Sequence, residues 1–454
     1  MIRYCTEYNF RNIKRIPILP RGKGNFRKKI LYIDTVAAFD IETTLIRKYR
    51  QSVMYIWQMQ INNTTVIGRT WDEFRSFYDK LNESIPEDAK MVCYIHNASY
   101  EFMFLKSIIP IDSVFAMDNR KILKFESGKI EFRCSYLQSN MSLDRFLKQM
   151  KVPAQKIHGF DYSKKRYSWT PLTDDELLYC INDVRGLRQA MIRRMEWNGD
   201  NLYTIPLTST GYSRRAAKAC LKGYQKYIHY MLPDLECFRA LRDAFRGGDT
   251  HAHRYNSNIL IEDPVYSWDI SSSYPAVMLT EKYPREFVKA DPKYFIQYLN
   301  YGKACLFYIT LTNVRLADPD HGDPYLSKAK CLSLHGELLD NGRILSAKSL
   351  RVCLNEIDFA IVNTEYEFDA WEVDSLWIAS KSLLPQSFRD LILQTYRDKT
   401  LLKGGDKEYE YAHAKALFNS YYQRNDSPES MQAGFHLQRW NCADRLFKDR
   451  TGSC

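Results

Sequence analysis

The stretch ILYIDTVAAFDIETT, residues 30 to 44, has the composition of a buried β-strand that ends in acidic residues. Apolar and β-branched side chains favour a half-buried or buried strand. Residues two apart on a strand point to the same face of a sheet, so Asp40 and Glu42 share a face. Two neighbouring carboxylates repel each other unless a cation lies between them. The strand therefore predicts a metal site, and solvent at an exposed strand edge is the alternative.

A second segment, MVCYIHNASYEFMFLKSII, predicts a buried strand, a polar turn and a helix between residues 91 and 109. The turn places Asn97 and Glu101 beside the end of this strand, just as Asp40 and Glu42 lie at the end of the first strand. An ordinary turn without a function is the alternative. Residues 130–146 then predict a further strand and a short helix that Ser142 caps.

The segment PLTDDELLYCINDVRGLRQAMIRRM, residues 171–195, predicts a long helix. Thr173 and Glu176 have the spacing of a capping box, and an apolar stripe follows them. Tyr179 and Asp183 are four residues apart and therefore share one face. A hydroxyl that orients a water beside a metal-bound carboxylate is the functional interpretation. Two surface residues on an amphipathic helix are the alternative.

The stretch YSWDISSSYPAVML, residues 266–279, predicts a strand, a serine turn and a helix. The predicted strand rests on the β-strand chemistry of Val265, Tyr266 and Trp268. Asp269 would lie at the strand end, with Tyr274 just beyond it and Pro275 in the first turn of the helix. A carboxylate, a free backbone carbonyl and a ring against a sugar suit metal-assisted phosphoryl transfer. A capped strand–turn–helix junction is the alternative.

Two further segments have a chemistry suited to phosphates. In AFRGGD, residues 244–249, two glycines after an arginine let a backbone approach phosphates, and a glycine turn between strands is the alternative. Residues 387–422 predict two helices joined at Lys403-Gly404-Gly405. Lys415, Asn419 and Tyr422 lie on one face of the second helix. A cation, an amide and a ring suit an incoming nucleotide, and a solvated helix face is the alternative.

Composition narrows the class of protein. The chain has 454 residues, 45% of them hydrophobic, which predicts two or three domains. A formal net charge of +11 and 32 tyrosines suit a surface that binds a phosphate backbone and stacks bases, although a basic excess also serves solubility. Eleven cysteines without a C-x-x-C pair predict reduced thiols. Without an apolar run of membrane length or a signal peptide, we expect a soluble, cytoplasmic protein without a membrane partner.

Taken together, the motifs resemble those of a known family. DIET at Asp40–Thr43, HNASYE at His96–Glu101 and YCIND at Tyr179–Asp183 are similar to the three motifs of a DEDD-type 3′–5′ exonuclease with an RNase H-like fold. With YSWDISSSYP after them, the combination resembles family B DNA polymerases, and among them the protein-primed branch of phages and linear plasmids. The resemblance implies an α/β (α+β) fold, with an RNase H-like exonuclease domain followed by an incomplete palm and fingers module.

The resemblance also implies roles in proofreading. Two Mg²⁺ or Mn²⁺ ions would be held by Asp40, Glu42, Glu101 and Asp183, and would lower the pKa of a bound water. Tyr179 would hold that water. Asn97 and Tyr100 would contact the single-stranded primer end. The fourth acidic position of this family is commonly Asp, so Glu101 is a departure that affects the metal spacing.

For polymerisation, the resemblance implies a second metal site on Asp269 and the Ile270 carbonyl, with deoxynucleoside triphosphates as substrates. The nucleotide would contact Tyr274, Lys415, Asn419 and Tyr422, of which Tyr274 would exclude a 2′-hydroxyl. Template DNA would contact Phe245, Arg246, Gly247 and Gly248, where the family commonly has Tyr in place of Phe245. A terminal protein that primes synthesis is a further expected partner.

The expected organisation follows from these segments. Residues 1–30 are a basic N-terminal extension, interpreted as a solvated tail with a nucleic-acid-binding arm as the alternative. The other divisions are 31–195 (exonuclease), 196–300 (linker and first part of the palm), 301–385 (an insertion that holds DNA and terminal protein), 386–422 (fingers helices) and 423–454 (an atypical tail).

The tail is polar, Gln423 stands where the fingers motif has Gly, and no second palm carboxylate or thumb follows. One hypothesis is that the tail is translated out of frame. Polymerase activity of this chain is then in doubt, since two metals require more than Asp269. A stand-alone exonuclease and an inactive nucleic-acid-binding fragment are the alternatives.

Overall fold

The computed structural model describes residues 1–21, 30–117, 120–157, 159–161, 163–224, 233–246, 255–256, 258–268, 270, 272–320, 322–405 and 407–420. Within these residues the chain forms two compact units. The first contains Met1–Ala216 and Tyr396–Ser420, and the second contains Ala217–Thr395. Each unit has a sheet covered by helices, which confirms the predicted α/β fold class.

The strands of the first unit are β1 (Ile2–Tyr4), β2 (Leu31–Ile46), β3 (Gln51–Ile61), β4 (Thr64–Gly68), β5 (Ala89–Ile95), β6 (Ser113–Ala116), β7 (Ile122–Ser127) and β8 (Ile130–Cys134). Those of the second unit are β9 (Tyr283–Pro284), β10 (Val288–Ala290), β11 (Ala304–Leu316), β12 (Cys331–His335), β13 (Leu338–Asp340), β14 (Arg343–Asn355), β15 (Tyr366–Glu367), β16 (Ala370–Ala379) and β17 (Lys381–Ser382).

The helices are, in chain order, α1 (Arg11–Lys14), α2 (Trp71–Ser84), α3 (Ser99–Leu105), α4 (Ser135–Ser139), α5 (Leu143–Gln149), α6 (Asp174–Trp197), α7 (Thr210–Cys220), α8 (Leu235–Ala244), α9 (Ser273–Thr280), α10 (Phe295–Asn300), α11 (Glu356–Glu365), α12 (Gln386–Leu401) and α13 (Glu408–Ser420). No helix among the described residues combines the length and the apolar character that crossing a membrane requires.

Strand β2 lies inside the sheet of the first unit, whose strand order is β1-β4-β3-β2-β5-β8-β7-β6. Its neighbours are antiparallel β3 and parallel β5. One face of β2 packs through Ala37 and Phe39 against helix α2. The opposite face packs through Val36 and Ala38 against helix α6. Burial on both faces explains why the sequence of β2 is almost continuously apolar up to Asp40.

Several elements that the local sequence predicted are confirmed. The segment at 91–109 forms β5, a turn and α3, and Ser142 caps α5 by accepting a hydrogen bond from the Arg145 backbone. Helix α6 starts with the predicted capping box, in which the Thr173 and Glu176 side chains each bond the other residue's backbone N–H. The helices expected on either side of Lys403-Gly404-Gly405 are α12 and α13.

The prediction of a solvated N-terminal tail is wrong for residues 1–21. Strand β1 pairs in parallel with β4 at the edge of the sheet. Ile13 is fully buried, and the Tyr8 ring packs edge-on against Phe77 of α2, with 5.6 Å between ring centroids. A few apolar residues among the basic ones are enough to anchor the segment, because they complete a core that α2 leaves open.

The second unit is built on a sheet of order β10-β16-β11-β14-β12, with β13 paired to β14 and β15 to β11; β9 and β17 form a separate pair. Leu306 and Trp377 face helix α8 on one side of this sheet. Phe295 and Phe307 form the core on the other side. The apolar, β-branched run ACLFYITLTNV, residues 304–314, lies within β11.

The strand predicted at residues 265–268 does not form. Tyr266 is 78% exposed and Trp268 is 91% exposed, and neither is paired in a sheet of the described residues. High β-propensity measures how well a side chain packs beside neighbouring strands, and it does not produce a strand without a partner. The helix predicted after this segment is present as α9 and includes Pro275.

Candidate metal centre

Three carboxylates meet where β2 passes under helix α6. Asp40 and Glu42 project from β2, on the face that Val36 and Ala38 turn toward α6, and Asp183 projects from α6. One oxygen of each carboxylate lies within 4.8 Å of the others. Residues 143 positions apart in the sequence are thus brought together by the packing of one helix on one strand.

Glu101 joins this group from helix α3. Its side chain is 3% exposed, and it interacts with the Asp40 carboxylate. One of its carboxylate oxygens, Oε2, is buried without a hydrogen-bond partner, as is Oδ1 of Asp183. Buried carboxylate oxygens without partners are costly, because they have lost hydration without replacing it.

Burial raises the pKa of every carboxyl group in the cluster, and repulsion adds to this rise for Asp40, Glu42 and Glu101. For Asp40, burial and the charge of Asp183 raise the pKa to about 7. For Glu42 and Glu101, burial and the Asp40 charge raise the pKa well above its usual value. Burial also raises the pKa of Asp183, against the opposing effect of Lys156.

These properties fit a divalent cation. The donors are hard carboxylate oxygens, two of their atoms are buried without partners, and their mutual repulsion would be removed by positive charge. Asp40, Glu42 and Asp183 are the residues close enough to share an ion, and Glu101 borders them through Asp40.

One neutral side chain, Gln58, and one basic side chain, Lys156, hold the carboxylates in place. Gln58 lies directly opposite Asp40 in the pairing of β2 with β3, and its Nε2 donates to Asp40 Oδ2 at 2.9 Å. The Lys156 Nζ donates to Asp183 Oδ2 at 3.1 Å. Sequence reasoning missed both. The β2–β3 pairing register was the signal for Gln58, whereas Lys156 lies in an irregular segment before α6 that has no periodicity.

Tyr179 lies one helical turn before Asp183 and is buried. Its ring stacks on Phe160, with 4.3 Å between the centroids, and Lys156 Nζ lies 5.4 Å from its centre. The ring is therefore held on one side by an aromatic residue and approached by the cation that also contacts Asp183. This packing fixes the orientation of the Tyr179 ring.

The residues expected to contact a single DNA strand, Asn97 and Tyr100, lie at the start of helix α3. Asn97 is exposed, and its φ of 70° forms the tight turn between β5 and α3. The Tyr100 hydroxyl lies 2.7 Å from Thr43 Oγ1, and its side chain is 39% exposed. Burial and the Lys156 charge lower the pKa of His96 to about 4, so the imidazole is neutral at physiological pH.

The residues expected to carry polymerisation are described only in part. Asp269, Gly247, Gly248 and Tyr422 lie outside the described residues, as does the tail at 423–454. Ile270 and Tyr274 are 76% and 55% exposed. Phe245 is half-buried and follows α8 directly. Lys415 is exposed and Asn419 half-buried on helix α13.

Arg246 contacts its own unit closely. Its guanidinium lies 4.9 Å from the Tyr325 ring centre, and its Nε is 3.7 Å from Asp358 Oδ2. The arginine of the AFRGGD segment is thus held by a ring and a carboxylate.

Part of the chain matches a known family of proteins. Residues 99–321 match the family of DNA polymerases of type B, organellar and viral. The match covers just under half of the chain and supports this family for it. The resemblance that the motifs suggested is therefore supported at the level of the family. No functionally curated protein matches the chain in sequence.

Solved structures of Phi29 DNA polymerase have a fold similar to that of this chain. The complex of Phi29 polymerase with primer-template DNA matches with a TM-score of 0.63 and 16% identity, over 87% of this chain and 69% of that one. An orthorhombic crystal form matches with a TM-score of 0.62 and 15% identity, over 90% and 76%. The complex with single-stranded DNA matches with a TM-score of 0.60 and 15% identity, over 87% and 68%.

Proposed function

We propose that the first unit of this protein is a metal-dependent 3′–5′ exonuclease that shortens single-stranded DNA ends. The observation that carries the proposal is the convergence of Asp40, Glu42 and Asp183 within 4.8 Å, bordered by the buried Glu101. A similar fold is found in Phi29 DNA polymerase bound to single-stranded DNA. The proposed exonuclease domain covers residues 31–195.

In this proposal Asp40, Glu42 and Asp183 hold Mg²⁺ or Mn²⁺, and Glu101 supports them. Divalent ions bound there would lower the pKa of an attacking water and neutralise charge on the reacting phosphate. The chain's own residues define the surroundings. Gln58 fixes the Asp40 carboxylate by its hydrogen bond of 2.9 Å, so that oxygen keeps its direction during the reaction.

Lys156 and Tyr179 would position the groups around the attacking water, and two residues near α3 would hold the DNA strand. Lys156 offsets the charge of Asp183 and lies beside the Tyr179 ring, so it keeps the helix face positioned. We propose that the Tyr179 hydroxyl orients the attacking water. Asn97 and Tyr100 would hold the last nucleotides of the strand, with Tyr100 oriented by its contact to Thr43.

A second proposal concerns nucleotide transfer. The family match covers the stretch around Asp269, which favours a polymerase of this type. Asp269 and the Ile270 carbonyl would bind metal, and Lys415, Asn419 and Tyr422 would bind a deoxynucleoside triphosphate. Phe245 to Gly248 would contact the template. We also propose that residues 196–300 contribute the first part of the palm, 386–422 the fingers, and 301–385 an insertion that contacts DNA and a terminal protein primer.

The test is a primer–template assay with a 5′-labelled primer and Mg²⁺, with and without deoxynucleotides. Shortening without nucleotides that is lost in an Asp40→Ala/Glu42→Ala variant would support the exonuclease. Extension with nucleotides would support the polymerase, and shortening without extension would favour a stand-alone exonuclease. If the wild-type chain binds DNA but neither shortens nor extends it, both proposed activities are wrong and the chain is a binding fragment.

The role of Tyr274 has a separate test. If its ring lies against the sugar of the incoming nucleotide, a Tyr274→Val variant should incorporate ribonucleotides more readily than the wild type, because the steric block to the 2′-hydroxyl is removed. A Tyr274→Phe variant keeps the ring and serves as the control. Unchanged sugar selection in an extending enzyme would contradict this role.

A further inference from the structure

One basic surface of the first unit is unused by the proposed reaction. It consists of residues 45–50, which are the end of β2 and its connection to β3, and of residues 164–169, which precede α6; we call it the hairpin surface. In the connection, Arg47, Lys48 and Arg50 are exposed and form no ion pair with the described residues. Tyr49 is 61% exposed between them.

The two segments are joined although they are about 120 residues apart. Lys165 Nζ donates to the Leu45 carbonyl at 2.7 Å. Thr44 Oγ1 donates to the Arg166 carbonyl at 2.7 Å and accepts from the Arg166 backbone N–H at 3.0 Å. These three contacts fix the second segment against the end of β2, so its side chains add to the same surface.

The second segment supplies an exposed aromatic platform. The Trp169 ring is 77% exposed and lies almost parallel to Tyr167, with 4.9 Å between centroids and 7° between planes. The carbonyls of Tyr167 and of Thr170, which directly follows the segment, accept hydrogen bonds from Arg69 at 2.9 and 2.7 Å. The platform is therefore held rigidly, although its outer ring faces solvent.

The position of the hairpin surface relative to the carboxylates indicates which ligand it can bind. Strand β2 carries Asp40 and Glu42 and then runs directly into the connection. At the rise of a β-strand, Arg47 is about 17 Å along the chain from Glu42. Cations without acidic partners attract a phosphate backbone, and an exposed ring stacks unpaired bases. Only a single strand offers both groups at once.

We propose that the hairpin surface binds the single-stranded DNA that extends from the exonuclease site. This inference rests on the proposed exonuclease function, which supplies the strand. Phosphates would contact Arg47, Lys48 and Arg50, and an unpaired base would stack on Trp169. The contact holds a long strand while its end reaches the carboxylates, and it reads no base sequence.

The test measures binding without cleavage. Labelled oligothymidylates about 4 and about 16 nucleotides long, which span common site sizes for single strands, are titrated in EDTA at several salt concentrations. In an Arg47→Ala/Lys48→Ala/Arg50→Ala variant, the slope of log affinity against log salt for the long strand should fall by about 2, since three charges are lost. The affinity for the short strand should stay at the wild-type value.

A matched control removes the same charge elsewhere. Arg11→Ala/Lys14→Ala/Arg15→Ala neutralises three exposed cations at helix α1 in the same unit, and should leave the slope and the exonuclease rate unchanged. Trp169→Ala should weaken binding of the long strand by about fivefold to a hundredfold, and Trp169→Phe should restore most of it.

The outcomes separate the surface from the activity. A slope unchanged in the hairpin variant, or lowered equally in the α1 control, would overturn the inference even if the exonuclease is active. Equal weakening for duplex and single-stranded DNA would also overturn it, because stacking on Trp169 requires unpaired bases. If the wild-type protein has no exonuclease activity but the hairpin variant still lowers the salt slope, the inference about the surface stands. Only the proposed exonuclease function is then contradicted.

Discussion

Residues 30–46 and residues 265–280 look alike in sequence, since each predicts a strand that ends near an acidic residue. The structure treats them differently. Strand β2 lies between β3 and β5, with α2 on one face and α6 on the other, and it directs Asp40 and Glu42 at Asp183. Trp268, by contrast, is 91% exposed and unpaired in the described sheets. A strand-like sequence becomes a strand only where neighbours complete its hydrogen bonds and cover its side chains.

The largest effect is expected where the carboxylates meet. An Asp40→Ala/Glu42→Ala variant should lose exonuclease activity by at least about a hundredfold, because charge developing on the phosphate is no longer stabilised. Without metal it should melt no lower than the wild type, since repulsion is removed. Activity is measured on a labelled single strand and melting by calorimetry.

The matched control for this variant is Asp34→Ala, which removes an exposed carboxylate from the same strand. It should leave the rate unchanged. A similar loss of rate in both variants would show that β2 acts as a scaffold only, and the comparison between the two regions would lose its functional meaning.

Gln58 gives a smaller and more specific effect. Replacing it with Leu removes the hydrogen bond to Asp40, and the Mn²⁺ concentration needed for half-maximal activity should rise by about tenfold to a hundredfold. The rate at saturating Mn²⁺ should recover largely, because the carboxylates themselves remain.

Gln60→Leu is the comparison, since Gln60 is also buried on β3 but bonds to Asn62 and Thr65. It should not change the metal requirement. If both variants raise it alike, packing of β3 rather than the contact to Asp40 is responsible.

The pH dependence of stability follows from the raised pKa values. Burial and the charge of Asp183 raise the pKa of Asp40 to about 7, and burial raises those of Glu42 and Glu101. The folded, metal-free protein thus keeps protons that the unfolded chain releases, and its stability should fall as pH rises from about 4 through 7. Mn²⁺ should then raise the melting temperature more at pH 8 than at pH 6.

This behaviour is specific to the cluster. In Asp40→Ala/Glu42→Ala both the fall with pH and the response to Mn²⁺ should be much reduced. A Mn²⁺ response of the same size at both pH values would contradict competition between protons and metal for the same oxygens.

The smallest effect is expected in the second region. Trp268→Ala should change the free energy of unfolding by no more than about 0.5 kcal/mol, since the side chain is almost fully exposed. Trp57→Ala, in the core beside β2, should cost about 3–5 kcal/mol. Denaturant titrations of both variants provide the measurement, and a large loss for Trp268→Ala would show that this ring is packed in solution.

Local sequence determined much of the first unit. Hydrophobic periodicity and the Thr173–Glu176 capping box predicted α6, the apolar run predicted β2, and Ser142 predicted the start of α5. The motifs around Asp40 and Tyr179 indicated the family that the comparison then supported. These features depend on contacts within a few residues, so they can be read along the chain.

The tertiary structure decided what depends on distant partners. The pairing of β2 with β3 brought Gln58 to Asp40, and an irregular segment before α6 brought Lys156 to Asp183. The same kind of packing anchored the N-terminal residues on β4 and α2, whereas no paired strand formed at residues 265–268. In each case the deciding energy comes from burial and hydrogen bonds to residues far away in sequence, which no local pattern contains.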